Sequence, residues 1–135
     1  MLTCKDFFFS MALILLITCV NCDGCFSSCD SGPFFADLQI KLTINDENKD
    51  VPIEVYRGLY DDGILIIQDT ISDDDLLDGR VIYNLEAGLD YAAAATYNDG
   101  AKTIIAIDGG EMSLASTECD CDYPTNLTLN LRLAE

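Results

Sequence analysis

The chain has 135 residues, no His, no Trp and a formal net charge of −17 at pH 7. Without His there is no Ser-His-Asp or Cys-His catalysis, and the common catalytic zinc sites are excluded. The negative charge argues against nucleic acid as a partner, because phosphate binding needs a basic surface. We therefore expect a protein that is not an enzyme, does not bind nucleic acid and needs no cofactor.

The first predicted element is an apolar run from Phe7 to Thr18, which has the length of a signal-peptide core and is too short to span a bilayer. It closes with Leu16-Ile17-Thr18-Cys19, which resembles the lipid-attachment box of bacterial lipoproteins. We therefore expect residues 1–18 to be a signal peptide and Cys19 to be the lipidated N-terminus. The alternatives are an ordinary secretory signal cleaved near the same place and a retained buried helix.

The lipoprotein resemblance implies a cellular location as well as a lipid modification. A mature chain that begins at Cys19 would be held to a membrane by its acyl chains, since two or three such chains anchor stably. The implied localisation is the bacterial cell envelope, at the outer membrane, with the domain facing the periplasm or the outside.

A cysteine-rich tether follows over residues 19–35. Its cysteines have the C-x2-C-x2-C-x3-C spacing of a ferredoxin cluster run. They are Cys19, Cys22, Cys25 and Cys29. The context disfavours a cluster, because Asp30 stands where a Pro usually follows the fourth cysteine and because an exported chain crosses the membrane unfolded. A metal-binding protein, with this cluster or with a thiolate zinc site, is the less favoured alternative function.

Export makes disulfides the expected state of the remaining cysteines. The candidates are Cys22, Cys25, Cys29, Cys119 and Cys121. Cys119 and Cys121 would point to the same side of an extended strand, which favours bonds to other cysteines over a bond to each other. We expect one or both to pair with a cysteine of the tether. The odd number leaves one thiol free or intermolecular.

Residues 36–135 are predicted to form one β-domain. Leu38, Ile40, Leu42 and Ile44 alternate with polar residues, which is typical of a half-buried strand. The same reasoning gives seven strands in all, over 37–44, 51–56, 64–71, 80–85, 91–97, 102–107 and 126–133. The segment 91–97 is ambiguous, because its four alanines favour a helix whereas its flanking Tyr and Thr favour a strand. Asn98-Asp99-Gly100 is a hairpin signal, so we predict a strand.

About seven short strands in about 100 residues indicate a two-sheet antiparallel β-sandwich. Leu85-Glu86-Ala87-Gly88-Leu89-Asp90-Tyr91, followed by Tyr97-Asn98-Asp99-Gly100, resembles the "Leu-x-x-Gly-x-Tyr, strand, Asp-Gly" pattern of prealbumin-like (transthyretin-like) domains, which are common in bacterial surface lipoproteins and adhesins. The resemblance covers residues 36–133 and implies a prealbumin-like sandwich. An immunoglobulin-like sandwich is the alternative.

Two acidic loops carry the oxygen ligands that Ca²⁺ prefers. They are Asp61-Asp62 beside Gly63, and Asp73-Asp74-Asp75 with Asp78. Neither loop has the alternating spacing of an EF-hand, so we interpret both as solvated turns and predict no metal site.

The functional prediction is a lipid-anchored binding or accessory module whose ligand is an envelope protein or a glycan. The aromatic residues available for binding are Tyr56, Tyr60, Tyr83, Tyr91 and Tyr97. A concave aromatic surface would favour binding, whereas a smooth surface would favour a structural or adhesin-type subunit.

Overall fold

The computed structural model describes residues 29, 31–117 and 121–133, and these residues form strands joined by turns. The strands are Phe35–Lys41 (β1), Val51–Arg57 (β2), Ile64–Ile71 (β3), Arg80–Glu86 (β4), Leu89–Asp99 (β5), Lys102–Met112 (β6), Leu114–Ser116 (β7), Asp122–Pro124 (β8) and Leu127–Asn130 (β9). A 3₁₀ turn spans Asp73–Asp75. In the described ranges, no helix is long and apolar enough to cross a membrane.

The strands form two sheets around one core. β1 lies at the centre of a three-stranded sheet in the order β4-β1-β9, and a four-stranded sheet has the order β3-β2-β5-β6. β7 and β8 form a separate hairpin. Buried side chains of both sheets, such as Ile40 of β1 and Val55 of β2, belong to one hydrophobic cluster. The predicted all-β sandwich is confirmed.

The pairing is antiparallel except between β1 and β9, where Ile40 lies opposite Leu129 in parallel register. The chain leaves β6, makes the β7–β8 hairpin and crosses to the other sheet before it enters β9, so it reaches β9 from the same end as β1. In a constant-type immunoglobulin sandwich the first two strands share a sheet. Here β1 and β2 lie in different sheets, so the strand order is not that of the immunoglobulin alternative.

The predicted and observed strands differ mainly at their ends. β1 stops at Lys41 and β9 stops at Asn130, although the alternation of apolar residues continues further along the chain. Leu42 and Leu131 remain buried beyond those ends. A bond from the Leu131 amide to the Lys41 carbonyl continues the contact between the two segments. The alternation of apolar residues therefore indicates which side chains are buried, and this burial extends beyond the hydrogen-bonded strand pairing of β1 and β9.

Two buried tyrosines fix the segments around β5. The Tyr91 hydroxyl donates to the Glu86 carbonyl oxygen at 2.8 Å, across the turn in which Gly88 has a φ of +83°. The Tyr97 hydroxyl donates to the Leu131 carbonyl oxygen at 2.7 Å and accepts from the Thr43 amide at 3.2 Å. Both residues therefore serve packing. Burial raises the pKa of each phenol.

Candidate functional site

The tether and the β7–β8 hairpin are joined by a disulfide between Cys29 and Cys121, whose Cα atoms are 5.3 Å apart. This is one of the pairings that the sequence allows between the tether and the C-terminal cysteine pair. A half-cystine is not a thiolate ligand, so Cys29 can enter a metal cluster only after reduction of this bond. The lipidation residue Cys19 and the candidates Cys22, Cys25 and Cys119 lie outside the described residues.

The two acidic loops do not form a cluster of ligands. The Asp75 carboxylate turns back and accepts from the amide of Ser72 at 2.8 Å and from its hydroxyl at 2.6 Å, which lowers the pKa of Asp75. Over the part of the chain that the structure describes, no three His, Cys, Asp or Glu side chains are grouped so that they could hold a metal ion.

The five candidate tyrosines divide into two groups. Tyr91 and Tyr97 are buried in the core, and Tyr83 of β4 is half-buried and donates to Asp69 of β3 at 3.1 Å, which links the two sheets. Burial and this bond to a carboxylate raise the pKa of Tyr83. The other two, Tyr56 and Tyr60, lie together on the outer face of the four-stranded sheet.

This outer face has a floor of small residues. Along β5, Ala93 and Ala95 point into the core, so Ala92 and Ala94 point outward. Ala92 and Ala94 are nevertheless only 4% exposed, because longer side chains surround them. Gly109 is the neighbour of Ala92 on β6 and adds no side chain. The outer face therefore has a depression along the middle of the sheet.

Aliphatic side chains form one wall of this depression. Ile107 of β6 is the neighbour of Ala94, and Ile105 is the neighbour of Thr96. Both isoleucines point away from the core and are about half exposed, at 49% and 53%. Apolar side chains of this size are usually covered when they lie together, so this wall is available to a partner.

An aromatic pair forms the opposite wall. Tyr56 of β2 is the neighbour of Ala92. Tyr60 comes from the β2–β3 loop, and its ring meets that of Tyr56 edge to face with centroids 5.2 Å apart. Tyr60 lines two adjoining grooves, one of about 620 Å³ over Ala94 and Thr96 and one of about 420 Å³ over Asp90 and Ala92.

The β2–β3 loop is shaped to hold Tyr60 in this position. The Gly58 amide donates to the Asp90 carbonyl oxygen of β5 at 2.8 Å, and Gly58 has a φ of +102°, which favours glycine. The Gly63 amide donates to the Leu59 carbonyl oxygen at 2.7 Å, closing a tight turn around Tyr60. A Cβ atom at position 63 would collide with that same oxygen, so the turn requires glycine.

A carboxylate completes the depression. Glu54 of β2 is the neighbour of Ala94, and it accepts from the Tyr56 hydroxyl at 2.6 Å and from the Gln68 amide nitrogen at 3.3 Å. The bond to Glu54 raises the pKa of Tyr56 to about 12, because the carboxylate stabilises the protonated phenol. Glu54 is thus fixed in orientation beside Tyr60.

We call this surface the trough and define it by Glu54, Tyr60, Ala92, Ala94, Ile105 and Ile107. The volumes of its two grooves lie within the range of small-ligand sites. Its chemistry is apolar contact on one wall, and an aromatic ring beside a fixed carboxylate on the other. Among the described residues that line it, no two carboxylates are buried together and no nucleophile is paired with a base.

No known protein family matches the chain, and no curated protein or solved structure is significantly similar to it.

Most of the trough was not foreseen from the sequence. Tyr56 and Tyr60 are among the predicted candidates, but nothing in the sequence joins them to Glu54, Ala94 and Ile107, which lie far apart along the chain. Alternation does not identify Ile105 and Ile107 as exposed, because apolar residues stand on both faces of β6 at positions 104–107.

Proposed function

We propose that this protein is a non-enzymatic, lipid-anchored binding module of the bacterial cell envelope and that the trough is its ligand-binding surface. The observation that carries the proposal is the combination of a concave floor, exposed isoleucines and a supported tyrosine on one sheet face. Exposed apolar surface next to fixed polar groups is characteristic of binding sites.

The proposed localisation at the cell envelope is based mainly on the sequence. The apolar run that ends at Cys19 favours lipoprotein processing, and the disulfide Cys29–Cys121 fits an oxidising compartment. We also propose a prealbumin-like sandwich, supported by the strand order and by the turn at Gly88, where the motif residue Tyr91 bonds back to Glu86.

The anchor is tested with Cys19→Ser. This change should abolish acylation and release the domain in soluble form without unfolding it, because the described core begins near Phe35. Detergent partitioning and mass analysis of the N-terminal peptide measure both effects. An unmodified Cys19 in membrane-bound wild-type protein would contradict the lipoprotein proposal.

The binding surface is tested in cells by photocrosslinking. A p-benzoylphenylalanine at position 105, on the exposed wall of the trough, should form an adduct with an envelope component. The control position is 128, which is exposed on the outer face of the other sheet. Equal adducts from the two positions, or none from position 105, would count against the trough.

A structural or adhesin-type subunit is the second candidate function, and the edge strand β3 favours it. Ile64, Leu65 and Ile66 are exposed on this strand, which pairs with β2 alone among the described strands. Such an edge can pair with a strand of another chain. Light scattering measures the oligomer mass of the wild-type protein and of Ile66→Lys. The structural role requires that the wild-type protein forms oligomers and that Ile66→Lys disrupts them.

A further inference from the structure

The two grooves of the trough differ in chemistry, although they share Tyr60. The groove over Ala94 contains the Glu54 and Asp69 carboxylates. The groove over Ala92 is flanked by Leu59 and Ile107, and Asp90 and Asp108 also line it. The two Asp108 oxygens accept from the Gly109 and Asn130 amides. Among the residues that the structure describes, no Lys or Arg lines either groove. The first groove therefore offers a hydrogen-bonded carboxylate to a cation, and the second offers Leu59 and Ile107 to an apolar side chain.

The cation-binding character of the first groove follows from how Glu54 is held. Its two oxygens each accept one hydrogen bond, from Tyr56 and from Gln68. A carboxylate has about four acceptor positions, so roughly half remain for an incoming donor. The adjacent Tyr60 ring attracts cations through its π face. A Lys or Arg side chain would satisfy the carboxylate and the ring together.

The length of the trough indicates the form of the occupant. The floor of one groove runs over Ala94 and Thr96, and that of the other over Asp90 and Ala92. The midpoints are therefore about four strand residues apart, or roughly 13 Å. In an extended peptide, residues i and i+4 have this separation and point to the same face.

We infer that the trough binds an extended peptide segment of a partner protein in which a Lys or Arg and a large apolar residue stand four positions apart. This inference rests on the proposed function, because it assigns an occupant to the same surface. Electrostatic complementarity favours a basic peptide over the other occupants. A second copy of this chain would bring another net charge of −17, and a neutral glycan would leave the Glu54 carboxylate without a cation.

The test measures fluorescence anisotropy of labelled peptides with the full-length protein in non-ionic detergent micelles. The probe is a capped Gly-Ser peptide of about nine residues that carries Arg and Leu at i and i+4, in both orders. Replacing Arg by citrulline keeps the shape and removes the charge, and should weaken binding about tenfold. Moving Leu to i+3 points it to the opposite face and should also weaken binding.

Variants of the protein test which residues are responsible for binding the Arg side chain. Glu54→Gln should weaken the Arg peptide about tenfold and leave the citrulline peptide unchanged, whereas Glu47→Gln, in the exposed β1–β2 loop, should change neither. Tyr60→Ala should weaken binding of the Arg peptide about fivefold. Because the peptide series leaves the protein unaltered, the inference stays testable even where a variant fails to fold.

The outcomes separate this inference from the proposed function. Equal binding of the Arg and citrulline peptides, or of the two spacings, overturns the inference. Binding of phosphocholine vesicles or of a glycan in place of peptides also overturns it, and a loss of that binding in Ala94→Leu would leave the trough as the binding surface. If Ala94→Leu changes none of these interactions, both proposals fail.

Discussion

The neighbouring alanines Ala94 and Ala95 give a direct prediction about the two faces of β5. Ala95 is fully buried in the core and lies between Ile53 and Ala106, whereas Ala94 faces the trough. Ala95→Leu must fit a larger side chain into a packed interior, which costs about 2–3 kcal/mol. Ala94→Leu extends into an open groove of about 620 Å³ and should change stability by less than about 0.5 kcal/mol.

The assay is thermal and urea unfolding followed by far-UV circular dichroism, without reductant so that the disulfide is kept. For a domain of about 100 residues, a loss of 2 kcal/mol lowers Tm by about 10 °C. We therefore expect a fall of that size for Ala95→Leu and almost none for Ala94→Leu. Equal losses in the two variants would refute the assignment of faces, because both alanines would then lie in packed surroundings.

Three further predictions concern single side chains. Tyr97→Phe removes the partner of the Leu131 carbonyl and of the Thr43 amide and should cost about 2 kcal/mol in urea unfolding, whereas Tyr123→Phe, at an exposed site, should cost almost nothing. Equal values would contradict the role of Tyr97. Gly63→Ala should destabilise the fold by about 1–2 kcal/mol, and Gly32→Ala, in open space, should not. A Gly63→Ala protein with wild-type stability would mean that the β2–β3 loop tolerates a side chain there. In ultraviolet titration Tyr56 should ionise near pH 12, and Glu54→Gln should move that pKa back towards 10. Since the folded pKa is raised, the stabilising bond is present below about pH 10 and is lost as the pH rises to about 12. An unchanged titration in Glu54→Gln would contradict the bond as the cause.

The strands could be predicted because burial on one face leaves a period-two pattern, as at Leu38 and Ile40. The alanines of β5 gave no such pattern, since small side chains occur on both of its faces. The turn signals that flank β5 predict a strand there, and the structure confirms it. The β7–β8 hairpin was missed because each of its strands has only three residues, too few for a period to be visible.

The trough could not be predicted because it depends on which strands are neighbours. Alternation along β2 indicates which of its side chains face outward, but only the sheet order brings Glu54, Ala94 and Ile107 into one row. The position of Tyr60 depends in addition on how the β2–β3 loop folds over the sheet, which requires Gly58 and Gly63 in particular conformations.

Photocrosslinking from position 105 in the Ala94→Leu background tests most directly whether the trough is the binding surface. The added side chain fills the groove floor beneath the probe while Cys19 and the core are unchanged. We expect the protein to remain folded and membrane-bound and the adduct seen from position 105 in the wild-type background to be lost. An adduct of undiminished yield in the folded variant would contradict the account, because the partner would then bind without entering the trough.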